Sequence, residues 1–217
     1  MKILIAVPSH DMVHADFTRC MMNLDKPAGT SFAMITSTLV YTARTLIANK
    51  AVEMGFDRVL WVDADMTFDP DALIRLSKDM DEHNLDMVCG IYFTRKAPIM
   101  PSIHSHIKWE VKPDGWVDTD CRCFVDYPED SLFEIESCGF GFVMTSVPLL
   151  AKMNEIYGSP FYPLMGMGED TTFCIRARKE GFKIWCDSRV KVGHIGLYEF
   201  NEETWRANKN DLPMQDV

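Results

Sequence analysis

Two kinds of apolar pattern alternate along this chain. Predominantly apolar runs, each ending at a polar or glycine-containing turn, lie at residues 2–7, 58–62 and 85–92, and another follows two glycines at residues 142–144. Such runs suit strands buried on both faces of a sheet. Between them, Ile35, Leu39, Ala43, Leu46, Ile47 and Met54 recur at helical spacing, which predicts a helix of roughly five turns stopped by Gly55. Leu73, Leu76 and Met80 predict another, with Asp69 as its cap and Pro70 at its first position. Helices are also expected over residues 15–24 and 147–157, and a last one carries Phe173 and Ala177 inward and closes at Gly181.

Shorter strands are expected at residues 30–34, 183–186 and 190–192. Residues 99–136 are mixed in polarity, with turns at Pro113-Asp114-Gly115 and Tyr127-Pro128-Glu129-Asp130, and predict short antiparallel strands. The polar tail from Asn201 is expected to fray or wrap. Strands alternating with helices in this order make an α/β fold in one domain.

The run Val59-Leu60-Trp61-Val62 ends in Asp63-Ala64-Asp65. Period-two geometry would put both carboxylates on one side of the strand, where they repel unless a divalent cation and phosphates sit between them. Asp-x-Asp is also common in solvated turns. The first strand breaks at Pro8-Ser9-His10-Asp11, at the sheet end where open α/β folds hold ligands. Gly139 and Gly141, just before an apolar strand, suit close approach by a ligand or another backbone, or a bulge. An apolar, glycine-interrupted loop ends at Gly168-Glu169-Asp170 as a helix begins; the helix dipole alone would favour these carboxylates, and the approach loop adds a pocket. His194 stands between Gly193 and Ile195-Gly196. Arg44, beside the apolar stripe of the long helix, either snorkels to solvent, the reading its position favours, or turns toward phosphates. Arg95 and Lys96 leave a strand together and could meet a phosphate, though a solvated turn is the reading their position favours.

Composition narrows the picture. A chain of 217 residues can bury a sizeable core, and 22 basic against 32 acidic residues leave a net charge of -10. That charge opposes non-specific binding to nucleic acid, and no apolar run approaches the ~20 residues needed to span a bilayer. Seven cysteines without framework spacing fit reduced thiols and a cytoplasmic protein.

Together these residues resemble the GT-A-fold glycosyltransferases, most closely the family 2-like branch of bacterial and phage proteins. The resemblance runs from Lys2 to about Tyr198 and rests on an ordered set. Pro8 resembles the nucleotide-binding start, Asp63-Ala64-Asp65 the DxD motif, and Gly139-Phe140-Gly141-Phe142 the acceptor-side glycine strand. Gly168-Glu169-Asp170 with Arg176 and Gly181 resembles the Glu-Asp motif and its helix, and Gly193-His194 the late metal-binding histidine.

The resemblance implies a GT-A, Rossmann-like, mixed but mostly parallel sheet flanked by helices. Residues 1–98 would be a nucleotide-sugar-binding half, 99–200 an acceptor-binding half and 201–217 a tail. Pro8, Ser9, Asp11, Arg44, Asp63, Ala64 and Asp65 would bind the donor, a nucleoside-diphosphate sugar with UDP favoured. Asp63, Asp65 and His194 would hold Mn2+ or Mg2+, Asp65 directly. Asp170 would be the general base of an inverting transfer to a carbohydrate or other hydroxyl acceptor, with Glu169 orienting acceptor or sugar. Gly139, Phe140, Gly141, Met167 and Gly168 would line the acceptor and sugar pocket. Thr45 stands where many relatives carry Asn after this arginine, which leaves the helix's contact with sugar or phosphate open. A retaining transferase, a sugar-nucleotide nucleotidyltransferase and a non-catalytic glycan-binding module on the same fold are the alternatives.

Overall fold

The computed structural model describes residues 1–10, 12–164, 166–196 and 199–209. The first half runs β1 (Ile3–Pro8), α1 (Ala15–Asn23), β2 (Thr30–Ile35), α2 (Val40–Glu53), β3 (Arg58–Val62), β4 (Met66–Phe68), α3 (Ala72–His83) and β5 (Met87–Ile91). The second half runs β6 (Ile103–Val111), β7 (Val117–Cys123), β8 (Leu132–Ile135), β9 (Ser137–Cys138), β10 (Phe142–Ser146), α4 (Val147–Tyr157), α5 (Glu169–Lys179), β11 (Ile184–Ile195), β12 (Glu199–Phe200) and α6 (Glu202–Asn208).

The described strands form a nine-stranded sheet ordered β12-β11-β5-β10-β3-β1-β2, with β4 and β8 also paired to β11, and a second sheet ordered β7-β6-β9. β1 runs parallel to β2 and β3, and β11 parallel to β5, whereas β10 lies antiparallel between β3 and β5. Alternation along each buried strand divides the core between the two faces of the sheet. Leu4, Ala6, Val59 and Trp61 pack on one face with Ile47, Leu149 and Phe173 from α2, α4 and α5. Ile3, Ile5, Leu60 and Val62 pack on the other with Phe17, Leu73 and Leu76 from α1 and α3. Asp63 continues the parity of Val59 and Trp61, so the strand delivers it to the face covered by α2 and α5.

Several boundaries differ from the sequence reading. The long helix is shorter, and Leu39, Leu46 and Met54 of the expected stripe are exposed. Its buried side is Ala43, Arg44, Ile47, Ala48 and Ala51, since small residues let α2 lie close to the sheet and α4. The helix expected to begin at Pro70 begins at Ala72 with Asp71 at the cap position, because Asp69 and Pro70 are spent on the turn that leaves β4. The two short strands expected after residue 182 are one strand, β11, with an irregularity between Asp187 and Lys191. The tail forms α6, capped reciprocally by Asn201 and Thr204, and its Trp205 is buried and stacks on Phe93 at 5.6 Å between ring centroids.

Candidate active site

The site lies where β1, β3 and β5 end. After Val62 the chain turns, with Met66 N–H donating to the Asp63 carbonyl at 3.3 Å, and re-enters as β4. This turn separates the two aspartates that an unbroken strand would have put side by side. Asp63 Oδ1 accepts from Arg44 Nη2 at 2.8 Å. Asp65 Oδ2 instead lies 2.7 Å from Arg95 Nη1 and 3.7 Å from His194 Nε2.

Arg44 does not snorkel. It is 2 % exposed, and its second terminal nitrogen donates to Glu169 Oε1 at 2.6 Å. Its guanidinium lies 5.2 Å from the centre of the Phe140 ring, which supports it from the core. Two carboxylates and an aromatic face are enough to hold a cation that the neighbouring apolar stripe would not. Burial pushes Asp63 and Glu169 above the ordinary carboxylate range, against the pull of Arg44. Phe140, expected in an acceptor pocket, is 1 % exposed and belongs to a cluster with Trp61, Phe161 and Phe173.

β11 brings His194 to Asp65. Gly193 pairs with Thr67 and His194 with Met66 across the β4 ladder, and Ile195 N–H donates to the Asp65 carbonyl at 2.8 Å. A side chain at Gly193 would overlap those of Glu199 and Thr67, so these are what approach this glycine closely. His194 Nδ1 lies 2.9 Å from the Phe93 carbonyl. A carbonyl only accepts, so Nδ1 carries the hydrogen and Nε2 turns toward Asp65. In the neutral ring that places two lone pairs face to face, an arrangement completed by a proton or a cation. Burial would raise the Asp65 carboxyl, but the neighbouring His194 and the charge of Arg95 outweigh it and hold it low.

Among the described residues no three His, Cys, Asp or Glu side chains gather to hold a metal ion. Asp63 is tied to the buried Arg44 and Asp65 to the partly exposed Arg95, and of the two it is Asp65 that faces His194, which makes Asp65 and His194 the candidate pair. A pair of this chemistry fits a small divalent cation that keeps waters and takes its remaining ligands from substrate phosphates.

A cavity of about 280 Å³ opens beside the pair, lined by Pro8, Ser9, His10, Thr38, Ala43, Asp63, Ala64 and Asp65 among others. Five residues expected at the donor site thus share one cavity wall; Asp11 lies outside the described residues. On the other side, Glu169 and Asp170 open α5, and Asp170 Oδ1 accepts from Thr171 N–H at 2.7 Å. Met167 and Gly168 precede them, and Asp170 would crowd a side chain at Gly168.

Tyr92, which the sequence reading did not single out, joins the two sides. Its hydroxyl accepts from Gly141 N–H at 3.2 Å, and its ring meets His194 edge-on at 5.5 Å. Burial and the charges of Asp63 and Asp170 push its phenol well above the usual range. Gly139 and Gly141 are small for its sake: a side chain at Gly139 would overlap the Tyr92 hydroxyl, and one at Gly141 would overlap Met66. The signal available in the sequence was a tyrosine ending a buried strand, whose hydroxyl needs a partner. Beyond it, His104 has a buried Nδ1 without a partner, and burial lowers its pKa, partly offset by Asp170.

No protein-family model matches the sequence, and no curated protein does. Solved structures do. The fold is similar to A197 from STIV, with a TM-score of 0.63 and 19% identity over 90% of this chain and 86% of that one. It is also similar to GalNAc-T7 with UDP, GalNAc and Mn2+, with a TM-score of 0.59 and 10% identity over 90% of this chain but only 43% of that one. At such identities the likeness carries the fold alone. The chain has the mixed, mostly parallel α/β fold of GT-A glycosyltransferases.

Proposed function

We propose that this protein is a metal-dependent glycosyltransferase that moves a sugar from a nucleoside-diphosphate sugar, with UDP the favoured carrier, to an acceptor hydroxyl with inversion. The observation that carries this reading is the opposition of His194 Nε2 and Asp65 Oδ2, 3.7 Å apart, at the edge of the cavity lined by Pro8, Ser9 and Ala64. In this reading Asp65 and His194 hold Mn2+ or Mg2+. When bound, the cation supplies positive charge against the phosphate oxygens as the diphosphate departs. Pro8, Ser9 and Ala64 wall the nucleoside, and Arg44 keeps Asp63 and Glu169 in place at the boundary between donor and acceptor. Asp170 takes the proton of the acceptor hydroxyl as that oxygen bonds to the anomeric carbon and the bond from that carbon to the phosphate oxygen breaks.

The test is turnover of a panel of nucleotide sugars with Mn2+, followed by the anomeric configuration of the product. Transfer or hydrolysis of one donor is expected, lost on chelation and reduced at least a hundredfold, on the order expected for removal of a general base, in Asp170→Asn. Absence of turnover across the panel, together with nucleotide binding unaltered in Asp65→Ala, would sink the reading.

A further inference from the structure

We infer that Arg95 is a diphosphate-binding residue of this site, held on Asp65 until the donor arrives. The inference rests on the reading of the donor as a nucleoside diphosphate. Its starting point is that Arg95 Nη1 and His194 Nε2 approach the same carboxylate oxygen, Asp65 Oδ2, at 2.7 and 3.7 Å. The guanidinium therefore stands on the oxygen that a divalent cation would share with His194. Nη1 also donates to the Ile195 carbonyl at 3.1 Å, while Nε and Nη2 have no partner among the described residues. Arg95 is 46% exposed, so its side chain reaches solvent.

The segment that carries it is pinned at both ends. Phe93 is fully buried and bridges to Pro101, and Thr94 N–H donates to the Met100 carbonyl at 2.9 Å while Met100 N–H donates to Thr94 Oγ1 at 3.0 Å. Arg95 follows these anchored residues and reaches Asp65 and the Ile195 carbonyl. The other arginine at the site is not available: both terminal nitrogens of Arg44 are bound to carboxylates beneath the surface. With Asp63, Asp65, Glu169 and Asp170 converging in a chain of net charge -10, a diphosphate needs a cationic side chain as well as a metal ion. A forked guanidinium with two nitrogens unpartnered among the described residues, already beside the cation position, is suited to the role.

The test is calorimetric titration of the full chain with Mn2+ alone, and, with Mn2+ present, with inorganic pyrophosphate, a panel of nucleoside diphosphates and the matching nucleosides. Arg95→Ala is expected to weaken binding of the preferred diphosphate by about ten- to a hundredfold, the scale of a charge-assisted hydrogen bond, with Arg95→Lys between it and wild type. Nucleoside binding should stay unchanged, and Mn2+ alone should bind Arg95→Ala more tightly than wild type, because Asp65 has lost a competing cation. Diphosphate affinity unaltered in Arg95→Ala would overturn the inference, as would an equal loss in Lys96→Ala, which would mark a diffuse charge effect. If wild type binds no diphosphate at all, the donor reading fails first and takes this inference with it; binding that survives Arg95→Ala removes this inference alone.

Discussion

Arg44 and Glu169, 125 residues apart in the chain, are joined by a hydrogen-bonded ion pair of 2.6 Å, and the same guanidinium holds Asp63 at 2.8 Å. One buried cation thus fixes the end of β3 to the start of α5. Arg44→Ala leaves two partly buried carboxylates facing each other without a counter-charge, and is expected to cost about 3–5 kcal/mol of stability. Arg44→Lys keeps the charge but loses the fork and should fall between the two. Urea unfolding measures both; a loss below 1 kcal/mol for Arg44→Ala would mean that the bridge does not hold these elements.

Tyr92 and Gly139 make a second prediction. Gly139→Ala puts a methyl group where the Tyr92 hydroxyl lies, and overpacking of this kind costs about 1–3 kcal/mol. Adding Tyr92→Phe removes the obstructing oxygen and should recover part of the loss. A thermal melt of the double variant no better than that of Gly139→Ala alone would contradict the packing described.

Away from the site, Asp79 is 5 % exposed and shares Arg189 with Asp187, whose like charge joins burial in raising the Asp79 carboxyl to about 7. Between the ordinary value of 3.8 and 7 the folded protein holds a proton that the unfolded chain has released. Stability from this group therefore falls as pH rises through that window, by at most about 1.4 kcal/mol per unit. Asp79→Asn should raise stability at pH 8 and flatten the slope between pH 5 and 7, since Arg189 keeps Asp187 at 2.7 Å. Denaturation midpoints of both proteins across that range decide it; parallel curves would refute the assignment.

Trp205 tests how the site is supported from behind. It stacks on Phe93, whose carbonyl orients His194. Trp205→Ala should cost about 3–5 kcal/mol, as for large aromatic truncations in a core. It should also weaken Mn2+ binding, which a change confined to α6 would leave untouched.

Much of this architecture was legible in the chain. The runs at residues 2–7 and 58–62 and the helix over residues 147–157 are visible because burial on two faces, or on one stripe, leaves a period in the sequence. The carboxylates and His194 could be picked out because glycines and strand ends surround them. What was not legible depends on contacts between distant segments. Nothing local says that Arg44 turns inward, since the reason lies at Asp63, Glu169 and Phe140. The separation of Asp63 from Asp65 depends on β4 pairing with β11. Gly139 and Gly141 suited approach by a ligand or another backbone, but the groups that crowd them, and Gly193, are the side chains of Tyr92, Met66, Thr67 and Glu199, which no spacing rule would name.

The antiparallel seat of β10 between β3 and β5 has a consequence for how the molecule can be cut. A fragment ending near residue 98 contains β3 and β5 but neither β10 between them nor β11 beyond, so β3 is left raw along one edge and β5 along both. Such a fragment should be insoluble alone and regain structure only by fragment complementation with the remainder. The two halves of the sheet therefore depend on each other for folding and cannot be exchanged between proteins as separate cassettes.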